Sequence, residues 1–406
     1  MNILMITHEK NLGGASKSLI VLASELQERG HTVIVVTPFC FGSVYNELRK
    51  NGIKVYGVLY AWWMMSIDWN IAIKIGFKFL YHLSIFPILK LEKIVKKHNI
   101  QIIHSNSSVV DIGARVADRM GIRHVWHFRE FAELYYHMEY LQGKKKSFEF
   151  LNRVNGRIVF ISKNLRDYFS ADIRQDLCQV IYNGIAETYL IDKYSSILDK
   201  KEKSRIENVR FLIAGNFHRN KRHDLVIQAF YILQRRGYKN FKLIIAGAIA
   251  ANKDSQNYEQ GLRKMAEEKI PDKVEFRGFV EDMISLRKCT DVEIVASNLE
   301  AFGRVTAEAM MASNPVIGSK SGATPELIEE GKNGLLFEQG NAEDLADKIE
   351  FFLKNTVAIQ EYGSVAYAYA KEHFVSKKNT ENVENLYCTL IDSYKMSGGE
   401  VKGKDK

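Results

Sequence analysis

Short apolar runs alternate with longer amphipathic stretches along most of this chain of 406 residues. Helix-like segments such as SKSLIVLASELQERG (16–30) and VDIGARVADRMG (110–121) separate several of the runs. Buried, β-rich runs separated by helices predict a parallel sheet that is covered on both faces. The runs that we assign to a first sheet are NILMIT (2–7), HTVIVVT (31–37), IQIIHSN (100–106), HVWHF (124–128) and RIVFIS (157–162).

The same pattern starts again at Val209, where VRFLIAG, FKLIIAG, KVEFRGF and DVEIVAS indicate strands and RHDLVIQAFYILQRRG indicates a helix. We therefore predict an α/β fold with two Rossmann-like, doubly wound domains. Such sheets bind ligands outside the carboxyl ends of their strands, so two of them facing each other would line one cleft. The predicted boundaries are 1–185 for the N-terminal domain, 186–208 for a linker, 209–378 for the C-terminal domain, 379–395 for a final helix that packs back on the N-terminal domain, and 396–406 for a disordered tail.

The segment SNLEAFGRVTAEAMMASNPVIGSKSGATPELIEEGKNGLLF (297–337) follows the predicted strand DVEIVAS. Glu300 lies in the loop, Phe302 and Gly303 lead into a helix, and Glu308 lies in its early turns. The free N–H groups and positive dipole of a helix start suit a diphosphate. Carboxylates can accept hydrogen bonds from vicinal hydroxyls of a sugar. Spacing alone leaves open that Glu300 is a helix cap and that Glu308 lies on a solvated helix face.

This segment resembles the family 4 glycosyltransferases, which have the GT-B fold. The resemblance implies a retaining transfer from a nucleotide diphosphate sugar, in which Glu300 contacts the donor sugar and Glu308 the ribose hydroxyls. It also implies that backbone amides around Phe302 and Gly303 meet the diphosphate. The matching motifs, in the family's order, are Glu300, Glu308-Ala309-Met310, Pro315-Val316-Ile317, Gly322 with Pro325-Glu326, and Asn333-Gly334-Leu335-Leu336.

A second match to the family is FLIAGNFHRNKRHDLVIQAF (211–230), in which Lys221 falls on the family's lysine. A positive charge there would stabilise the departing diphosphate. Asn216 stands where the family usually has arginine, and Arg222 where it usually has glycine. We hypothesise that Arg219 or Arg222 supplies the missing charge, with a solvated surface role for each as the alternative.

Two N-terminal features occupy family positions. Gly13 and Gly14 follow the first strand, where glycines let the backbone approach a ligand closely, although such a pair is also common in simple turns. His127 ends the strand HVWHF, and the resemblance implies that it hydrogen-bonds the donor sugar or lines the reaction centre. Arg129 and Glu130 are expected to contact the acceptor or to hold the loop. A satisfied core histidine remains the alternative for His127.

The nucleotide base is expected beside the loop that holds Gly278 and Phe279, where family members contact it mostly through the backbone. The base therefore stays open, and we expect a UDP- or GDP-linked donor. The sequence contains no Asp-x-Asp motif and no paired metal-type histidines, so we expect no metal site and no cofactor besides the donor.

Net charge is +9 and lies entirely in the first half: residues 1–185 hold 24 Lys and Arg against 15 Asp and Glu. Residues 58–97 combine aromatic residues with lysines, as is typical of an interfacial segment, although a core helix and loop is the alternative. We expect contact with an anionic membrane surface there, and no nucleic-acid partner, because no motif for one is present. The absence of a signal-peptide pattern, of 18 consecutive apolar residues and of paired cysteines favours a cytoplasmic protein. The segment 58–97 adds a peripheral location on the inner face of the membrane.

These observations predict a metal-independent retaining glycosyltransferase. We expect it to move a hexose or N-acetylhexosamine to a lipid-linked glycan acceptor in surface polysaccharide biosynthesis. One alternative is a sugar-nucleotide epimerase or phosphorylase on the same fold. Another is a catalytically silent, sugar-nucleotide-binding partner subunit, which the departure at Asn216 keeps open.

Overall fold

The computed structural model describes residues 1–185 and 208–396. The predicted linker, apart from Asn208, and residues 397–406 of the predicted tail lie outside the described residues. The chain divides into two compact units. The first comprises Met1–Gly184 and the helix Ser376–Met396, and the second comprises Ile185–Val375.

The first unit is built on seven strands that pair in parallel, together with a small antiparallel pair, β4 and β7. The strands are β1 Asn2–Ile6, β2 Thr32–Thr37, β3 Lys54–Gly57, β4 Met64–Ser66, β5 Ile102–Ser105, β6 Arg123–Phe128, β7 Met138–Tyr140, β8 Gly156–Phe160 and β9 Cys178–Val180. Their order in the large sheet is β3-β2-β1-β5-β6-β8-β9. The connection therefore reverses direction between β1 and β5, which makes this the switch point of the sheet.

Helices of the first unit cover a core of β-branched and aliphatic side chains. Leu22 and Leu26 of the first helix and Val383 and Tyr387 of the last helix pack in the same buried cluster as Val35. The helices are α1 Gly14–Glu28, α2 Ser43–Lys50, α3 Ile71–His82, α4 Ile85–Lys97, α5 Ile112–Met120, α6 Ala132–Tyr135, α7 Lys144–Leu151, α8 Lys163–Tyr168 and, from the end of the chain, Ser376–Met396, which is numbered α16 below.

The second unit holds a six-stranded parallel sheet in the order β12-β11-β10-β13-β14-β15, with its switch point between β10 and β13. The strands are β10 Val209–Ala214, β11 Phe241–Ala246, β12 Val274–Gly278, β13 Val292–Val295, β14 Val316–Ser319 and β15 Gly334–Phe337. The helices are α9 His223–Arg235, α10 Lys253–Lys269, α11 Met283–Lys288, α12 Arg304–Met311, α13 Thr324–Leu327, α14 Ala342–Lys354 and α15 Thr356–His373.

The predicted α/β class with two parallel, Rossmann-like sheets is confirmed. Residues 71–97 form α3 and α4, which meet at a bend of 43°. Among the described residues, no single helix is long and apolar enough to cross a membrane, and this bent pair meets that test only by length and composition.

Candidate active site

An ion pair lies at the switch point of the second sheet. Lys221 follows β10 in a short 3-10 helix, Arg219–Lys221, and Glu300 follows β13. The Lys221 Nζ atom lies 2.5 Å from Glu300 Oε1, to which the Ser297 hydroxyl also donates at 2.7 Å. Neighbouring strands on opposite sides of the reversal thus bring the two residues together, although 79 positions separate them.

The backbone around Glu300 is fixed by the turn that follows β14. Gly322 has φ +52°, and a Cβ at this position would come within 2.4 Å of the Glu300 carbonyl oxygen. The Ala323 amide donates to that same oxygen at 2.8 Å. Only glycine fits this close approach, so the Gly-x-x-Pro-Glu turn of the sequence supports the loop that carries Glu300.

Glu308, on α12, is held by two arginines. Arg304 Nε donates to Glu308 Oε1 at 2.8 Å, and Arg287 Nη1 donates to Oε2 at 2.9 Å. Burial alone would raise the pKa of the Glu308 carboxyl, but the two guanidinium groups outweigh it and lower the pKa below its usual value. Glu308 is therefore an ionised acceptor in a fixed rotamer.

Arg287 is itself fully buried on α11, where it forms a two-pronged ion pair with Glu293 of β13. Its Nε donates to Glu293 Oε2 at 2.9 Å and its Nη2 to Oε1 at 3.1 Å. No motif in the sequence had indicated Arg287 as part of the site. The only available signal was an arginine in an otherwise amphipathic segment, and that pattern is too common to single it out.

Arg222 occupies the family's glycine position in a left-handed conformation, φ 53° and ψ 43°. Its guanidinium lies 3.3 Å from Asp224, and Nη1 donates weakly to Asn298, two residues before Glu300. The Arg219 guanidinium instead lies over the Tyr258 ring, 3.6 Å from Asp254. Of the two arginines proposed to replace the charge missing at Asn216, the structure brings Arg222 to the loop that carries Glu300.

The remaining residues predicted in the second unit lie at the same carboxyl edge of its sheet. Phe279 follows β12 and is 75% exposed, and Gly278 before it has φ +62°. Gly303 caps the N-terminus of α12 with φ +91°, whereas the Phe302 ring is buried edge-on against Phe374. Phe302 therefore anchors the loop by its side chain, which leaves only its backbone to meet a ligand.

In the first unit, the loop that holds Gly13 and Gly14, called the glycine loop below, closes around the Glu9 carboxylate. The Ser16 amide donates to Glu9 Oε2 at 2.6 Å, and the Gly13 amide donates to the Ser16 hydroxyl at 2.9 Å. A Cβ at Gly13 would lie 2.1 Å from Glu9 Oε1, whereas one at Gly14 would meet nothing within 4 Å. Glu9 was missed in the sequence, and a diphosphate at this loop would have to displace it.

His127 lies at the end of β6 in a buried cluster of polar rings. The Arg129 Nη2 group donates to His127 Nδ1 at 3.3 Å, while other nitrogens of Arg129 bind the side chains of Asn106 and Asn183, each at 2.6 Å. Burial, then the charge of Arg129, lowers the pKa of His127 well below its usual value. With Nδ1 accepting, the neutral ring carries its proton on Nε2, which has no hydrogen-bond partner among the described residues.

The same cluster reaches the C-terminal helix of this unit. The Tyr387 hydroxyl on α16 lies 2.5 Å from His104 Nδ1, and the His104 ring lies 5.3 Å from that of His127. Burial lowers the pKa of Arg129 to about 10, so its guanidinium is still charged at neutral pH. Because burial keeps the histidine rings neutral, the guanidinium of Arg129 is the positive charge of this cluster.

Glu130 binds the loop after β5. Its Oε1 accepts hydrogen bonds from the Ser107 hydroxyl at 2.6 Å and from the amide and hydroxyl of Ser108 at 2.8 and 2.7 Å. Of the two roles predicted for Glu130, these contacts favour loop support. No group of three or more His, Cys, Asp or Glu side chains suited to a metal ion occurs in the described part of the chain.

Family models match both halves of the chain. The model of glycosyl transferases group 1 matches residues 196–372, and that of glycosyltransferase family 4 matches residues 12–188. The chain belongs to the family 4 glycosyltransferases. Members of this family transfer sugars from nucleotide-sugar donors with retention of configuration, as the resemblance implied.

Two curated relatives and one solved structure illustrate the likeness. N-acetyl-alpha-D-glucosaminyl L-malate synthase of Bacillus anthracis is 30% identical over 214 residues, which are 52% of this chain and 54% of that protein. Poly(ribitol-phosphate) alpha-N-acetylglucosaminyltransferase of Staphylococcus aureus is 25% identical over 317 residues, 75% of this chain and 57% of that protein. The chain thus spans little more than half of either relative.

The crystal structure of Anabaena Alr3699/HepE in complex with UDP has a TM-score of 0.77 and 22% identity, and the match covers 96% of this glycosyltransferase and all of that chain. At this identity the likeness establishes the shared fold. It is the GT-B fold that the motifs predicted.

Proposed function

We propose that this family 4 glycosyltransferase moves a hexose or N-acetylhexosamine from a UDP- or GDP-linked donor to a lipid-linked glycan acceptor during synthesis of a surface polysaccharide. The observation that carries the proposal is the Lys221–Glu300 pair at the switch point of the second sheet, with Glu308 held ionised on the adjoining helix. UDP in the Anabaena complex and N-acetylglucosamine in two relatives' names make UDP-N-acetylglucosamine the first donor to test.

On the donor side, we assign the ribose hydroxyls to Glu308 and the sugar hydroxyls to Glu300. Lys221 and Arg222 neutralise the diphosphate together with backbone amides at Phe302 and Gly303. The base lies beside Gly278 and Phe279, whose exposed ring offers a flat apolar surface. Arg219 begins the short 3-10 helix that ends at Lys221, and it is the weaker alternative to Arg222 for neutralising the diphosphate.

Binding of the diphosphate must break or share the Lys221–Glu300 contact. The Lys221 ammonium then pairs with the leaving diphosphate instead of the Glu300 carboxylate. There it stabilises the negative charge that develops as the glycosidic bond breaks. Front-face attack follows, in which a leaving phosphate oxygen takes the acceptor proton. No protein nucleophile is required in this route, and electrostatic stabilisation of the diphosphate supplies most of the rate.

On the acceptor side, we assign the free Nε2–H of His127 to a sugar hydroxyl at the reaction centre. Arg129 positions the ring through Nδ1, and Glu130 holds the loop beside it. Gly13 and Gly14 let the backbone approach donor phosphate or acceptor. Residues 58–97 provide contact with an anionic membrane surface, where a lipid-linked acceptor would reside.

A silent binding subunit is the second candidate, and the exposed Asn216 in place of the family's arginine is the observation that favours it. An epimerase or phosphorylase on this fold is the third. Release of free UDP or GDP that depends on an acceptor distinguishes the transferase from both. We expect a thermal-shift screen against UDP, GDP and their sugars to identify the base first, because a ligand bound only by the folded state raises its melting temperature.

The decisive experiment measures donor turnover and nucleotide binding in two glutamate variants. Glu300→Ala should lower kcat by about 100-fold or more, since removing one preorganised group at the reacting centre costs roughly 10²–10³. Glu308→Ala should mainly weaken UDP or GDP binding. Near-normal kinetics in both variants would refute the assignment of this site.

A further inference from the structure

An apolar pocket of about 450 Å³ lies in the first unit, where β1, β2 and β3 end. His8 and Phe39 line it from the loops after β1 and β2, and Trp62 lines it from the segment after β3. Phe77 and Leu80 of α3 and Phe86 of α4 close the other side. Its volume is that of a small-molecule site. Most of its lining belongs to the segment 58–97 proposed above for membrane contact, but none of the roles assigned above uses the pocket itself.

The pocket has almost no polar lining. The Tyr60 hydroxyl donates to the Thr7 carbonyl, which leaves His8 as the polar side chain of the lining. Its Nδ1 atom is buried and has no hydrogen-bond partner among the described residues, and its ring meets Trp62 edge-on at 5.6 Å. A sugar bound here would leave most of its hydroxyls unsatisfied, so the pocket suits a hydrocarbon.

The polar end of the pocket adjoins the proposed acceptor side. His8 directly precedes Glu9, whose carboxylate closes the loop that holds Gly13 and Gly14. Both the pocket and that loop therefore lie at the carboxyl edge of the first sheet. A molecule with its tail in the pocket would carry its head group toward the glycine loop.

The helices that form the outer wall of the pocket, α3 and α4, carry both exposed apolar side chains and lysines. Helix α3 buries only Tyr81 of its twelve residues, while Phe79 and, on α4, Phe86 are 63% and 68% exposed. Residues 71–97 contain six lysines and a single acidic residue, Glu92, which Arg119 engages at 2.6 Å. Apolar side chains interleaved with lysines match the surface of an anionic bilayer.

A second copy of the chain is a poorer occupant. A two-fold interface would place the same lysine-bearing helices of both copies against each other, so that like charges would oppose association. A lipid phosphate or an anionic head group instead complements these lysines.

We propose that this pocket binds the hydrocarbon chain of the acceptor lipid, drawn from an anionic membrane, and thereby holds its phosphate-linked head at the glycine loop, where the phosphate takes the place of the Glu9 carboxylate on the Ser16 amide. The proposal rests on the proposed function. It assigns the acceptor class, an isoprenoid or acyl phosphate, to a set of residues separate from the donor site.

Titration calorimetry with monomeric farnesyl phosphate tests it, with farnesol and inorganic phosphate as comparison ligands. We expect farnesyl phosphate to bind more tightly than either. Leu80→Asp should weaken its binding by about tenfold or more, because the new carboxylate would lie in an apolar site. The matched control is Val365→Asp, which replaces a similarly exposed apolar residue of the second unit, 45% exposed against 47% for Leu80, and should change nothing.

Three results would overturn the proposal: equal farnesyl phosphate affinity in Leu80→Asp and wild type, no binding above that of inorganic phosphate, or a dimer in sedimentation that Leu80→Asp dissociates. Flotation on phosphatidylglycerol vesicles should fall in the same variant, and unchanged flotation would also count against it. The thermal shift with UDP or GDP is measured in every variant. If that shift is absent while farnesyl phosphate still binds, the donor assignment has failed and the pocket assignment stands.

Discussion

Arg287 offers the sharpest test of how the donor site is held. The side chain is 2% exposed, and it makes three charge-assisted hydrogen bonds, two to Glu293 and one to Glu308. Arg287→Met would remove these bonds and leave the fully buried Glu293 carboxylate without its guanidinium. Breaking a buried pair from one side costs about 3–5 kcal/mol, because the remaining charge stays desolvated.

The expected thermal shift follows from the size of the second unit. For a domain of about 150–250 residues, 1 kcal/mol lowers the melting temperature by about 2–4 °C, so Arg287→Met should lower it by roughly 6–20 °C. Arg236→Met is the matched control, since Arg236 pairs with Glu343, Asp347 and Glu350 at the surface. Exposed pairs contribute little, so about 1 kcal/mol should be lost there. Calorimetric scans measure the melting temperature of both variants. The transition of the second unit is the one that added UDP or GDP raises.

A double variant separates stability from positioning. Arg287→Met with Glu293→Leu replaces the buried pair by apolar groups and should recover most of the stability. Glu308 would still lack one of its two arginines, so the KM for the donor should stay raised by about tenfold, the equivalent of one hydrogen bond to a charged group. Equal destabilisation by Arg287→Met and Arg236→Met, or a normal donor KM in the double variant, would refute this reasoning.

Three further outcomes follow from particular side chains. Arg222→Gly should stabilise the second unit by about 1 kcal/mol in urea unfolding, because glycine adopts φ +53° without strain, and it should weaken UDP binding if Arg222 neutralises the diphosphate. Arg219→Ala should leave donor binding nearly unchanged, and a large loss would transfer the role to Arg219. Burial raises the pKa of Asp111 to about 6 from 3.8, so folding takes up a proton between these values and the buried carboxylate lowers stability above pH 6 by up to about 3 kcal/mol. Asp111→Asn should therefore stabilise at pH 8 but hardly at pH 4, and an equal effect at both would contradict the shift.

Much of the architecture could be predicted from periodicity and motif. Buried runs such as VRFLIAG gave the parallel sheets, because strands covered on both faces must be apolar throughout. The motifs after β13 indicated the family, and the structure shows why one of them needs glycine, because Gly322 packs against the backbone of Glu300. Motif positions also singled out Lys221 and Glu308, whose roles toward ligand remain predictions.

What the sequence alone determined is therefore the alternation of buried strands with helices, the family and the short motifs, since each is read from a local run of residues. Tertiary structure alone decided which distant side chains meet. Arg287 lies beneath Glu308, Tyr387 reaches His104 across 283 positions, and Glu9 fills the loop at Gly13. Hydrophobic periodicity reports which face of an element is buried but not which polar group opposes it. That partner is set by sheet order and helix packing, which no local pattern encodes.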